Sequence, residues 1–146
     1  MERRKVEGFR VVGRSVRVEP VTAEQQIGAL WVGLDRDPLL STLMATHRLV
    51  GVYTEYAGDY TKPYTYFLGV ELGREEEVPK GLARVDIPSG EYGAFPVQGP
   101  MPEAFIEEWA RIWRADIPRL YKTDFERYGA TEAVIYLSIK SRAEAK

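Results

Sequence analysis

One order of elements occurs twice along the 146-residue chain and restricts its fold more than any other feature: an extended segment, a helix, then two further extended segments. Alternating apolar and polar residues predict strands at Phe9–Val18, Leu49–Tyr56, Tyr64–Leu72, Leu82–Ile87, Glu91–Gln98, Phe125–Tyr128 and Ala133–Lys140. Ile87-Pro88-Ser89-Gly90 supplies a hairpin turn. The first helix is expected to open at Thr22, whose hydroxyl would cap it while Gln25 answers back. It carries the stripe Ile27, Leu30, Trp31 and Leu34 and stops before Asp37-Pro38. The second follows Gly99-Pro100-Met101-Pro102, with Pro102 in the first turn and Glu103 at the positive end of the dipole. Its stripe is Phe105, Trp109, Ile112 and Trp113. Leu39–His47 reads either as a short helix or as loop.

Leu30-Trp31 matches Ile112-Trp113, and Tyr66, Leu68 and Val70 match Ile135, Leu137 and Ile139. The halves run from about 8 to 73 and from about 81 to 141 of a single domain. One helix per half can cover one face of its strands, which predicts an α+β domain: an antiparallel sheet with two main helices. A crevice would lie where the halves meet, a favoured place for a ligand.

Composition excludes several classes. The formal charge is −2, with 20 basic residues scattered among 22 acidic ones, so no face is expected to neutralise phosphates and no direct nucleic-acid partner is predicted. Arg3, Arg4 and Lys5, flanked by Glu2 and Glu7, read as a solvated terminus. No apolar run has transmembrane length and no signal peptide is evident, so no membrane partner and a cytoplasmic location are expected. Cysteine is absent, which removes disulfides, thiolate metal sites and a cysteine nucleophile; no metal and no cofactor is expected. Nine tyrosines and three tryptophans exceed what packing needs, and suit a surface that is apolar and hydrogen-bonding at once. β propensity accounts for part of that excess.

Strand alternation says which side chains share a face. Ala133, Ile135, Leu137 and Ile139 read as core, which sends Tyr136 to the opposite side. Tyr66, Leu68 and Val70 read as core, leaving Phe67 opposite. Val50 and Val52 do the same for Tyr53, and Phe125 for Glu126 and Tyr128. The non-core face is thus expected to gather Tyr53, Phe67, Tyr128 and Tyr136 around the carboxylate of Glu126, with Arg127 pointing away. A carboxylate among rings is partly desolvated, and ring faces attract cations, so a lipophilic cation is the expected ligand. The other reading of Glu126 is an exposed strand carboxylate with no role.

Ile87-Pro88-Ser89-Gly90-Glu91-Tyr92, Trp109, Asp124-Phe125-Glu126-Arg127-Tyr128 and Val134-Ile135-Tyr136-Leu137-Ser138 together resemble the GyrI-like effector-binding superfamily. This is the sensor fold attached to many AraC-type and MerR-type multidrug regulators. Ile27-Gly28-Ala29-Leu30-Trp31 and Tyr53-Thr54-Glu55-Tyr56 through Gly69 look like its integron-associated, stand-alone branch. The resemblance covers about Phe9 to Lys140. It implies two βαββ units related by a pseudo-twofold axis, with ligand in the groove between them. It implies that Glu126 matches the family's buried, drug-binding glutamate and that Tyr136 lines the same pocket. Trp109 and Trp31 occupy core stripe positions from which they can also reach the groove.

Regulators of that superfamily carry a helix-turn-helix domain, and none is expected within these 146 residues, which offer neither the room nor the charge for one. A ligand signal would pass through a separate transcriptional regulator, or the chain would sequester its ligand. Two other classes stay open: a hydrolase of an electrophilic small molecule using Glu126 as general base, and a protein-binding inhibitor module. Against the first, no catalytic motif is present and the single histidine, His47, lies in the ambiguous segment. Against the second, Glu75-Glu76-Glu77 is the one acidic run and reads as a solvated loop. A free sheet edge would allow a homodimer.

Overall fold

The computed structural model of the chain describes residues 1–100, 103–129 and 132–144. Eight strands form one sheet: β1 (Glu2–Val6), β2 (Phe9–Val18), β3 (Leu49–Thr54), β4 (Tyr64–Leu72), β5 (Ala83–Ile87), β6 (Gly90–Val97), β7 (Asp124–Tyr128) and β8 (Ala133–Ser138). The helices are α1 (Ala23–Gly33), α2 (Pro38–Met44) and α3 (Glu103–Arg114). The spatial order is β1-β6-β8-β7-β3-β4-β2-β5, antiparallel at every junction. Read outward from the β7–β3 junction, β3-β4-β2 on one side repeats β7-β8-β6 on the other. α1 joins β2 to β3 as α3 joins β6 to β7. Each outer edge is then completed by a strand from the opposite half, β1 beside β6 and β5 beside β2.

Three local expectations are corrected or completed by the fold. Arg3, Arg4 and Lys5 are not a solvated terminus: they lie in β1, where Glu2–Val6 pairs with Ala94–Gly90 and Arg3 bonds Glu91 at 2.9 Å. Only Val6 of that strand is buried, so its pattern carries no apolar alternation and the partner alone defines it. Thr22 does not cap α1 and Gln25 does not answer it. A 3-10 turn at Pro20–Thr22 leads into the helix, and Thr22 donates to Gln26, which in turn donates to the Arg17 carbonyl. Leu39–His47 is largely helical, because Asp37 caps α2 by accepting from the Leu39 and Leu40 amides and Pro38 suits the first turn. Pro102 lies outside the described residues.

The sheet curls strongly. Phe9 on β2 and Phe125 on β7 are three strands apart, about 14 Å on a flat sheet, yet their ring centroids are 5.2 Å apart. Paired Gly13 and Gly69 permit the close passage of β2 over β4, since a Cβ on Gly69 would stand 1.9 Å from the Val12 carbonyl oxygen. The inner face of the curl packs Val11, Val50, Val52, Phe67, Phe125 and Tyr136 together. The outer face carries the helices: Tyr66 and Leu68 lie with α1 and α2, and Ile135 and Leu137 with α3. Both faces of the sheet are therefore core, and all six residues of β8 are buried.

That two-sided burial corrects the parity argument for Phe67 and Tyr136. Alternation within each strand is as expected, but β3 and β7 show their valines and Phe125 to the inner face whereas β4 and β8 show Tyr66, Leu68, Ile135 and Leu137 to the outer one. Register aligns Gly51 with Leu68 and with Glu126, and Glu126 with Ile135. Glu126 thus shares the helical face, and Phe67 and Tyr136 lie on the other side of the sheet from it.

Candidate functional site

Between α1 and α3, over the β7–β3 junction, the outer face opens into a cavity of about 740 Å³. Its floor is Tyr53, Tyr66, Glu126 and Tyr128; Trp31 and Ile27 stand on the α1 side, and Phe105 and Trp109 on the α3 side. Tyr60 and Trp113 stack at the rim with centroids 6.0 Å apart, and both are exposed. The site therefore draws on both halves of the chain and exists only where they meet.

Glu126 is 2% exposed. Its Oε1 accepts from the Tyr128 hydroxyl at 2.6 Å, and Oε2 accepts from Trp109 Nε1 at 2.7 Å and the Tyr53 hydroxyl at 3.1 Å. Trp31 Nε1 donates to the Tyr66 hydroxyl at 3.0 Å, which keeps that ring beside the carboxylate. Gly51 makes room for both, because a Cβ there would meet the Tyr66 hydroxyl at 2.8 Å and Glu126 Oε1 at 3.1 Å. Rings pack edge to face around the group: Tyr53 on Tyr66 at 5.1 Å and Trp31 on Tyr128 at 5.2 Å.

Burial raises the Glu126 pKa, and the bonds from Tyr128, Trp109 and Tyr53 pull it back only in part. Burial likewise holds Tyr53, Tyr66 and Tyr128 well above the ordinary phenol range, with the Glu126 charge adding to the effect, so these hydroxyls remain donors. Tyr64, less deeply buried, is raised to about 12. Every partner of Glu126 is thus neutral, and among the described residues no cation pairs with it. The other buried acid of the strand is different: Asp124 is paired with Arg119 at 2.9 Å, and both are almost fully buried. Of the two buried acids on this strand, Glu126 is the one with no cationic partner among the described residues.

Of the residues expected at the site, the structure brings together Glu126, Tyr53, Tyr128 and Trp109, and Trp31 joins them. Phe67 and Tyr136 are not there: Phe67 sits in the inner core, and Tyr136 stacks on Phe125 at 4.7 Å. Arg127 points inward as expected, with its guanidinium 4.2 Å from the Phe9 ring centre and an ion pair to Glu71. Tyr66, Tyr64, Tyr56 and Phe105 line the cavity without having been singled out. Two signals could have found Tyr66: a tyrosine within an apolar stripe needs a partner for its hydroxyl, and Gly51 in a strand interior marks a close approach. Among the described residues no group of acidic or histidine side chains is arranged to hold a metal.

A family model described as "Integron-associated effector binding protein" matches residues 4–141. YobU of Bacillus subtilis (strain 168), described as a candidate transcriptional regulator, is 30% identical over 133 residues, covering 82% of this chain and 83% of its own. The integron cassette protein VCH_CASS2, from the mobile metagenome of Vibrio cholerae, superposes with a TM-score of 0.81 at 24% identity, covering 95% of each chain. SAV2435, solved bound to tetraphenylphosphonium, gives a TM-score of 0.78 at 15% identity over 98% of this chain and 95% of that one. At these identities the two solved structures establish the shared fold.

Proposed function

The chain belongs to the integron-associated effector binding protein family, and we propose that its effector is a lipophilic, aromatic cation seated in the cavity against Glu126. The carrying observation is the buried carboxylate whose three partners are all neutral donors. A soft cation supplies the missing charge and needs little water stripped from it. It also gains from the ring faces of Tyr53, Trp109 and Tyr66, at about 0.5–2 kcal/mol for each well-placed ring. The tetraphenylphosphonium held by the similarly folded SAV2435 supports this ligand class. Because the chain resembles a sensor fold and YobU is described as a candidate regulator, the occupied state is read by a separate protein in this proposal.

Trp31 and Trp109 flank the cavity, so tryptophan fluorescence reports occupancy directly. Tetraphenylphosphonium is expected to quench it saturably, while neutral triphenylphosphine oxide binds far more weakly. In Glu126→Gln the amide oxygen can still accept from Trp109 and Tyr53 while the amide nitrogen donates to Tyr128. The fold is therefore expected to persist while cation affinity falls roughly 10- to 100-fold, as removal of a charge pair about 6–10 Å apart at an effective dielectric near 20 implies for a cationic centre shielded by its aryl groups. Unchanged affinity in a folded Glu126→Gln protein would refute the assignment.

A further inference from the structure

A second polar group stands in the wall of the same cavity. Arg119 lies in the segment between α3 and β7, with its side chain 4% exposed. Its Nη2 donates to Asp124 Oδ2 at 2.9 Å. Asp124 is otherwise satisfied, with Tyr56 donating to Oδ2 at 2.7 Å and the Ser138 amide and hydroxyl donating to Oδ1 at 2.7 and 2.9 Å. The guanidinium lies 4.2 Å from the Tyr121 ring centre and 5.9 Å from that of Trp109. Its Nε and Nη1 are buried and have no hydrogen-bond partner among the described residues. A guanidinium offers five N–H groups in a rigid fork, and buried donors of this kind are ordinarily paired.

The position of this fork sets a distance. Asp124 and Glu126 are two residues apart on β7 and face the same side, about 7 Å along the strand. Trp109 spans the interval, bonding Glu126 through Nε1 and lying beside Arg119. The charge of Arg119 is already matched by Asp124, so an anionic ligand group would leave surplus negative charge buried. A neutral acceptor takes the free N–H without disturbing that balance.

We propose that Arg119 selects, among lipophilic cations, those carrying a neutral hydrogen-bond acceptor such as a carbonyl oxygen about one two-residue strand repeat, roughly 7 Å, from the cationic centre. Entering past the Trp109 ring, such an oxygen meets the unpaired edge of the guanidinium. This selection rests on the cation-binding reading above.

The test uses two phosphonium ions that differ at one group: 4-acetylbenzyltriphenylphosphonium and its 4-isopropylbenzyl analogue, titrated by fluorescence and calorimetry. The wild-type chain is expected to favour the acetyl compound about tenfold, the scale of one hydrogen bond to a charged donor. In Arg119→Met combined with Asp124→Asn, which removes both charges together, that preference should fall to near unity. Asp124→Asn alone, which keeps the fork, should retain it. Glu126→Gln should weaken both compounds alike and keep their ratio. Where the double variant fails to fold by circular dichroism, Arg119→Lys, which keeps the charge without the planar fork, replaces it and is expected to show a reduced ratio. Equal wild-type affinities, or a ratio undiminished in the folded Arg119 variant, overturn this selection and leave cation binding intact. Failure of both compounds to bind the wild-type chain overturns cation binding and this selection with it.

Discussion

At Glu126 two effects oppose one another. Burial disfavours the charge, while bonds from Tyr128, Trp109 and Tyr53 favour it, and burial is the larger. A cation close by reverses the balance, so binding and proton release are linked. Below the raised pKa the free carboxyl is protonated and the ligand must displace that proton. Cation affinity is therefore expected to rise with pH from the ordinary carboxyl range up to the raised value and to level off beyond it. Calorimetry in buffers of differing ionisation enthalpy checks this, and a flat profile would contradict it. The same sign governs stability without ligand. A carboxyl whose pKa is raised by folding costs stability as pH climbs from its unfolded value through its folded one. Glu126→Gln removes that cost, so its melting temperature at pH 7 is expected to equal or exceed that of the wild type, in contrast to its weakened binding.

Among the elements, β3 works through what it leaves out. Gly51 sits between Leu68 on β4 and Glu126 on β7, and its missing side chain is the space that the Tyr66 hydroxyl and the carboxylate occupy. Gly51→Ala brings a methyl against both, and overpacking of this kind costs about 1–3 kcal/mol. Urea denaturation should show that loss, and fluorescence titration should show weakened cation binding because the carboxylate is displaced. Normal stability with normal affinity would mean that the neighbours yield freely. β1 illustrates a different dependence. Four of its five residues, Glu2, Arg3, Arg4 and Lys5, are charged, and it becomes a strand because β6 offers an edge to it. β2 and β4, with apolar positions on both faces, were legible to the residue, since long β-branched and aromatic runs carry their own signal.

For the whole molecule, the separation of the two faces is the governing fact. The inner face holds the Phe125 core and, at its open side, a polar cleft of about 810 Å³ lined by Arg4, Arg10, Glu71, Arg127 and Tyr136, whereas the helical face holds the aromatic cavity, so the sheet stands between the two. Tyr136→Phe removes a hydroxyl that accepts from Arg4 Nη1 at 3.3 Å on the inner side. Cation affinity is expected to stay within about twofold of wild type, because sites without shared partners combine additively. A large loss measured by fluorescence titration would place Tyr136 in the ligand's path after all. Phe125→Ala, by contrast, empties the centre of the inner core, where Phe9, Tyr92 and Tyr136 all contact its ring, and is expected to cost about 3–5 kcal/mol in urea denaturation.

Sequence alone determined the order of elements, the internal duplication, and the sharing of one side of their strands by Glu126 and Tyr128. It could do so because period and turn chemistry are local properties. It did not determine which side that was. Assigning a face assumes that one side of a strand is core, and here the curl buries both, so Phe67 and Tyr136 fell on the wrong side while Tyr66 was taken for packing alone. Only register between distant strands, set by hydrogen bonding across the β7–β3 junction, decided the phase. The unbalanced charge at Glu126 is likewise a tertiary fact, because it depends on Arg119 being committed to Asp124 and Arg127 to Glu71 on opposite sides of one sheet.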